Sequence, residues 1–100
     1  MSNLEDTLND RGREYGNFDD QAAIAQDLKG IIHSCSGWDR LTPAQAEALD
    51  MIVHKISRIL NGNPNNIDSW HDIQGYAAIT EKSTLNKNRT KSFNFHHYKL

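Results

Sequence analysis

The side chains best suited to chemistry lie between Glu47 and Ala78, in the run EALDMIVHKISRILNGNPNNIDSWHDIQGYAA. Glu47, Asp50, His54, Arg58 and Asn61 recur at helical spacing, and Asp68, Asp72 and Gly75 form a second line shortly afterwards. Carboxylates three or four residues apart on a helix stand side by side. Glu47 with Asp50, and Asp68 with Asp72, can therefore each reach a single ion. Mg²⁺ suits such a set, because it takes one or two carboxylates directly and fills its shell with water and substrate phosphate oxygens. Lys55 and Arg58 supply charge for phosphates, and His54 is a candidate proton carrier or hydrogen-bond donor. The same residues also fit a salt-bridged, solvated surface. Asp50 and His54 pair at i, i+4; Asp68 suits a helix N-cap; Glu47 complements the helix dipole. Asp72 is the residue hardest to explain as structure alone.

A second candidate is RGREYG, Arg11–Gly16. Arginine forks match phosphate oxygens, and Tyr15 offers a ring that can stack and a hydroxyl. It is not a strand-loop-helix phosphate cradle, since no strand precedes it. The alternative is a helix end with the tyrosine folded onto the core. His33, His54, His71, His96 and His97 lack zinc-like spacing with Cys35. Neither a Ser-His-Asp nor a Cys-His nucleophile pattern stands out.

Helices must position these groups. The spacing predicts a first helix over about Leu4–Glu14, closed by a left-handed Gly16, with Gly12 inside it either permitting a close approach or leaving the helix short and frayed. Asn17 caps a second helix, whose apolar stripe is Ile24, Leu28, Ile31, Ile32 and Cys35. Cys35 is expected to be a buried, inert thiol. Gly37 ends this helix, and Trp38 and Leu41 plug the core. Thr42, Pro43 and Gln45 form the strongest start signal, a capping box with proline at the first helical position. The third helix buries Leu49, Ile52, Val53, Ile56, Ile59 and Leu60, opposite Glu47, His54 and Arg58. Asn61-Gly62 closes it and Pro64 prevents its resumption. A fourth helix is expected from about Asp68, its cap, to Ser83, with a close neighbour at Gly75. Residues 86–100 show no periodicity. They form a basic tail with Phe93, Phe95 and Tyr98 interleaved, disordered or docked on a partner.

One hundred residues with a formal net charge of -2 make one modest domain without the basic footprint of a sequence-specific nucleic-acid binder. One cysteine allows no internal disulfide. Without an apolar span or signal-peptide pattern, the expectation is a soluble cytoplasmic protein with no membrane partner.

R-G-x-x-Y-G, then H-K-x-x-R-I, then D-S-W-x-D-I-x-G-Y-A resembles a family of small phage-encoded proteins of unassigned function, over about Arg11 to Ala78. It also resembles the phage nucleotide modification associated domains and, distantly, the MazG-like all-α nucleotide pyrophosphohydrolases. The resemblance implies Mg²⁺ held by Glu47, Asp50 and Asp72. It also implies a nucleotide held by Arg11, Tyr15, Lys55, Arg58 and Tyr76, with His54 catalytic, in a host cytoplasm. Ser69 stands where the partner acid of Asp72 is expected, so the second acidic pair is incomplete unless Asp68 substitutes.

The expected fold is thus all-α, a four-helix bundle-like single domain over residues 1–85 with an irregular tail, completed by homo-oligomerisation. Two functions fit it: a Mg²⁺-dependent nucleoside triphosphate pyrophosphohydrolase, or a phage inhibitor of host defence that sequesters a nucleotide signal or binds a defence protein. A third reading is an interaction module docking through residues 86–100.

Overall fold

The computed structural model describes residues 3–91. Four helices follow one another: α1 (Asn3–Tyr15), α2 (Phe18–His33), α3 (Pro43–Asn61) and α4 (Ile67–Lys91), with a 3₁₀ turn at Trp38–Arg40. The fold is all-α, with no strand among the described residues.

Local chemistry sets most of the boundaries. Gly16 ends α1 with φ 78°. Asn17 caps α2, its side chain accepting from the Asp20 amide at 3.1 Å. Thr42 accepts from the Gln45 amide at 3.1 Å, and the Gln45 side chain accepts from the Thr42 amide at 3.0 Å. The cap of α4 is Asn66, not Asp68: its side chain accepts from the Ser69 amide at 3.2 Å, leaving Asp68 exposed in the first turn. Asn66 wins because it stands one residue before the first helical residue, where the cap must be.

α2 stops at His33, short of Gly37. His33 Nε2 meets Asp50 Oδ1 at 2.7 Å, and its ring lies 4.3 Å from that of Trp38. This clamp fastens the end of α2 to α3. Helix α4 continues beyond Ser83 to Lys91, so residues 86–91 are helical rather than tail. No glycine or proline interrupts that stretch. Gln45 Nε2 donates to Thr84 Oγ1 at 3.1 Å and ties it to α3. Phe93, Phe95 and Tyr98 lie outside the described residues.

α3 is the hub. It packs along α2 and along α4, while α1 docks across it and α2. Its buried residues, Ala48, Val53, Lys55 and Ser57, point in two directions. One flank carries Lys55 to Asp72 of α4, and the other carries Asp50 to His33 of α2. The expected apolar face is therefore only partly covered, and Leu49 and Leu60 remain 41% and 64% exposed. On α2 the inward stripe is Gln21 and Ala25, one helical turn apart. Ile31 and Cys35, expected inside, are exposed. Four described polar residues, Gln21, Lys55, Ser57 and Ser69, are buried, against Ala25, Ala48 and Val53 among apolar ones.

Gly12 and Gly75 do not mark close approaches: a Cβ at either would meet nothing within 4 Å. Glycine inside a helix costs about 1 kcal/mol relative to alanine. Gly12→Ala and Gly75→Ala are each expected to stabilise by about that much, read as a higher midpoint in urea. A lower midpoint for either would show a neighbour that the helix packing does not.

Candidate functional site

The site begins where the end of α1 meets the turn between α3 and α4. The Asn63 amide donates to the Glu14 carbonyl at 2.7 Å. The Asn61 side chain donates to the carbonyls of Tyr15 and Asn17, both at 2.9 Å. Glu14 Oε2 accepts from Asn66 at 2.8 Å and Asn63 at 3.2 Å. Those amides hold its carboxyl below the usual range, the Asn66 contact contributing most. Backbone meets backbone here, and two glycines permit it. A Cβ on Gly62 would run into the Glu14 carbonyl and Tyr15, and one on Gly16 into Asn61. The closing glycine of RGREYG and the Asn61-Gly62 helix stop are thus two halves of one joint.

The joint fixes Tyr15 above α3. The Arg58 guanidinium lies over its ring at 4.4 Å and that of Arg11 at 5.2 Å, both within cation–π range. Arg58 Nε is buried and finds no hydrogen-bond partner among the described residues. Lys55 Nζ contacts Asp72 Oδ2 at 3.0 Å. This hydrogen bond, then the lysine's charge, holds Asp72 below the usual carboxylate range. His54 is pushed below the ordinary histidine value of 6.5, first by burial and then by Arg58, Lys29, Lys55 and Arg11. Four cations from three helices thus act on one imidazole, with Asp72 as the carboxylate paired among them. Beside them a cleft of about 420 Å³ is lined by Leu8, Arg11, Gly12, Tyr15, Gly16, Asn17, Phe18 and Gln21. A second hollow along α4 is lined by His71, Asp72, Gly75, Tyr76 and Ile79.

The structure therefore gathers Arg11, Tyr15, His54, Lys55, Arg58 and Asp72. Tyr76 lies one turn beyond Asp72 on the α4 hollow. The proposed metal trio is not gathered. Glu47 is exposed, Asp50 is taken by His33 and Asp72 by Lys55. Among the described residues no three His, Cys, Asp or Glu side chains could share an ion. The i, i+3 spacing of Glu47 and Asp50 is real, but the packing of α2 takes Asp50 and the packing of α4 turns Lys55 onto Asp72. Asp50 also finds a partner on α2, not the His54 one turn away on its own helix.

Sequence reasoning missed Lys29 and Gln21. Their signal is positional: Gln21, Ala25, Lys29 and Ile32 recur at i, i+4, i+8 and i+11, which is one helix face. A lysine and a glutamine on the face that carries a buried alanine are groups turned inward.

The chain matches, over residues 2–84, a family described as a domain of unknown function, DUF6378. It belongs to that family. The matched span takes in all of α1, α2 and α3 and most of α4, so the joint, the cation group and both hollows fall within the family's domain. No curated protein and no solved structure matches the chain significantly. No described helix is long and apolar enough to cross a membrane.

The charge on His54 gives this DUF6378 domain a pH signature. Its folded value lies below 6.5, so the unfolded chain takes the proton first. Stability is full above 6.5 and falls as pH drops from there to the folded value, where the loss is complete. His54→Gln is expected to flatten the stability profile as pH falls below 6.5. Urea melts at stepped pH measure it, and an unchanged slope would mean that another group carries the limb.

Proposed function

We propose that the protein binds a nucleotide through its phosphate chain, on the cations gathered around His54. Arg58 carries this reading. It holds a buried Nε without a partner, shares the Tyr15 ring with Arg11, and with Lys29, Lys55 and Arg11 depresses the His54 pKa. Like charges held together in a half-buried site repel, and a multiply charged anion offsets that cost. Arg11 and Arg58 present forks suited to phosphate oxygens, whereas Lys29 and Lys55 act as point charges. Tyr15 and Phe18 at the cleft, and Tyr76 on α4, offer rings for a base. An arriving anion should raise the pKa of His54, so binding is expected to take up a proton.

Binding without hydrolysis is the form this reading takes. Glu47, Asp50 and Asp72 do not fit one Mg²⁺ in this arrangement, for the reasons given by their partners, and no chemical step is routed through such an ion. A phage setting, which the motif resemblance implies, would give such a protein the task of sequestering a nucleotide signal. Titration calorimetry with nucleoside mono-, di- and triphosphates in EDTA tests this. Heat that grows with phosphate number supports it. No binding of any of them sinks it. Release of pyrophosphate only when Mg²⁺ is added would restore the hydrolase.

A further inference from the structure

We propose, resting on the nucleotide reading above, that the cleft at the end of α1 is the subsite for the nucleobase, and that the Gln21 carboxamide at its floor reads the edge of an adenine. Gln21 is only 4% exposed, and its carboxamide makes no hydrogen bond among the described residues. It lines the cleft, so the part of it that stays open is cleft floor. A buried polar side chain without a protein partner takes one from whatever fills the space beside it. A carboxamide sets an acceptor oxygen beside an N–H donor. Adenine offers the complement, its N6 amino group beside the N7 acceptor, and glutamine grips that pair with two hydrogen bonds. Guanine shows two acceptors on the same edge, O6 and N7, which suit arginine or lysine instead.

The rest of the cleft suits a flat ring. Leu8 and Phe18, both exposed, form apolar walls, and an aromatic side chain free on one face is a platform for a base. Gly12 leaves another stretch of wall bare, since a Cβ there would meet nothing within 4 Å. At about 420 Å³ the cleft falls within the roughly 300–1,000 Å³ of small-molecule sites. It also joins the cations. Arg11 and Tyr15 line it, and the Arg58 guanidinium lies over the Tyr15 ring at 4.4 Å. A nucleotide with its base on Phe18 and Gln21 therefore brings its phosphates toward Arg11 and Arg58. The α4 hollow also has a ring, Tyr76, but none of its lining side chains is buried, so it holds no fixed polar group to read a base.

Titration calorimetry of the full chain with ATP, GTP, CTP, UTP and inorganic triphosphate, all in EDTA, gives the test. The four nucleotides carry the same phosphate chain, so a difference among them reports the base. ATP should bind most tightly. Gln21→Met, which keeps the length of the side chain and removes its amide, should weaken ATP by about 5- to 150-fold in Kd and leave inorganic triphosphate unchanged. Gly12→Leu fills the cleft from its bare wall and should do the same, which keeps the test decisive if Gln21→Met unfolds. Equal affinity for the four nucleotides, a preference for GTP, or cleft variants that weaken ATP no more than inorganic triphosphate would each overturn the base subsite while phosphate binding stands. So would a loss of ATP affinity in Tyr76→Ala with both cleft variants unaffected. If neither a nucleotide nor inorganic triphosphate binds, the nucleotide reading itself falls, and the base subsite with it.

Discussion

Gly62→Ala is expected to lower the unfolding free energy by about 3–5 kcal/mol, a large share of the 5–15 kcal/mol typical of a domain. The new methyl would have to occupy the space of the Glu14 carbonyl and the Tyr15 backbone. Neither is the movable end of a side chain, so the joint must open. Opening it breaks the Asn63 bond to Glu14 and strains both Asn61 bonds, each worth about 1 kcal/mol. It also carries Tyr15 away from Arg58, so nucleotide affinity should fall with stability. Urea melts followed by circular dichroism read the first effect and calorimetry the second. A loss below about 1 kcal/mol would show that α1 and the turn can part cheaply, and the joint would lose its assigned role. Acid should weaken the same joint. Glu14 is held below 4.5, so its contribution is present above that value and is lost as pH falls through the folded one.

Arg58→Met separates binding from stability. Losing charged hydrogen bonds to a phosphate costs about 1.5–3 kcal/mol, which is about 10- to 150-fold in Kd. The fold should respond the other way. Methionine removes a buried, unpartnered Nε and a charge that shares the Tyr15 ring with Arg11, while keeping an unbranched stem against Tyr15. An unsatisfied buried donor costs about 1–3 kcal/mol, and the lost cation–π contact returns about 0.5–2. A net gain of about 1 kcal/mol follows, a rise in Tm of about 4–8 °C for a chain this size. Asp50→Asn, which touches only the His33 clamp, should leave affinity unchanged. A variant that loses stability and keeps its affinity would make Arg58 a structural residue and end the nucleotide reading.

The start of α3 was fully legible, because Thr42, Pro43 and Gln45 act on their own backbone and need no distant partner. Asn17 and Gly16 were legible for the same reason. The C-terminal reach of α4 was not, since a polar stretch without breakers looks the same as a frayed end until Gln45 finds Thr84. Lys55 and Arg58 could be recognised as phosphate-suited by type. Their convergence with Arg11 depends on α1 crossing α3, which no local pattern states. Glu47, Asp50 and Asp72 do not meet among the described residues for a related reason. Spacing shows which carboxylates share a helix face, but His33 and Lys55 arrive from other parts of the sequence and take two of them.

By itself, then, the sequence determined four helices, the Gly16, Asn17 and Thr42 boundaries and the residue types able to hold an anion, because capping, glycine conformation and helical periodicity act over a few residues. Tertiary structure alone decided which polar side chains turn inward and which apolar ones stay outside. α3 is flanked by α2 and α4 and crossed by α1, and that arrangement buries Gln21, Lys55 and Ser57 while leaving Leu49 and Leu60 in the open. The physical reason is that burial follows the direction from which neighbouring helices approach, and that direction is set by contacts between residues up to about fifty positions apart, from Glu14 with Asn66 to Lys55 with Asp72.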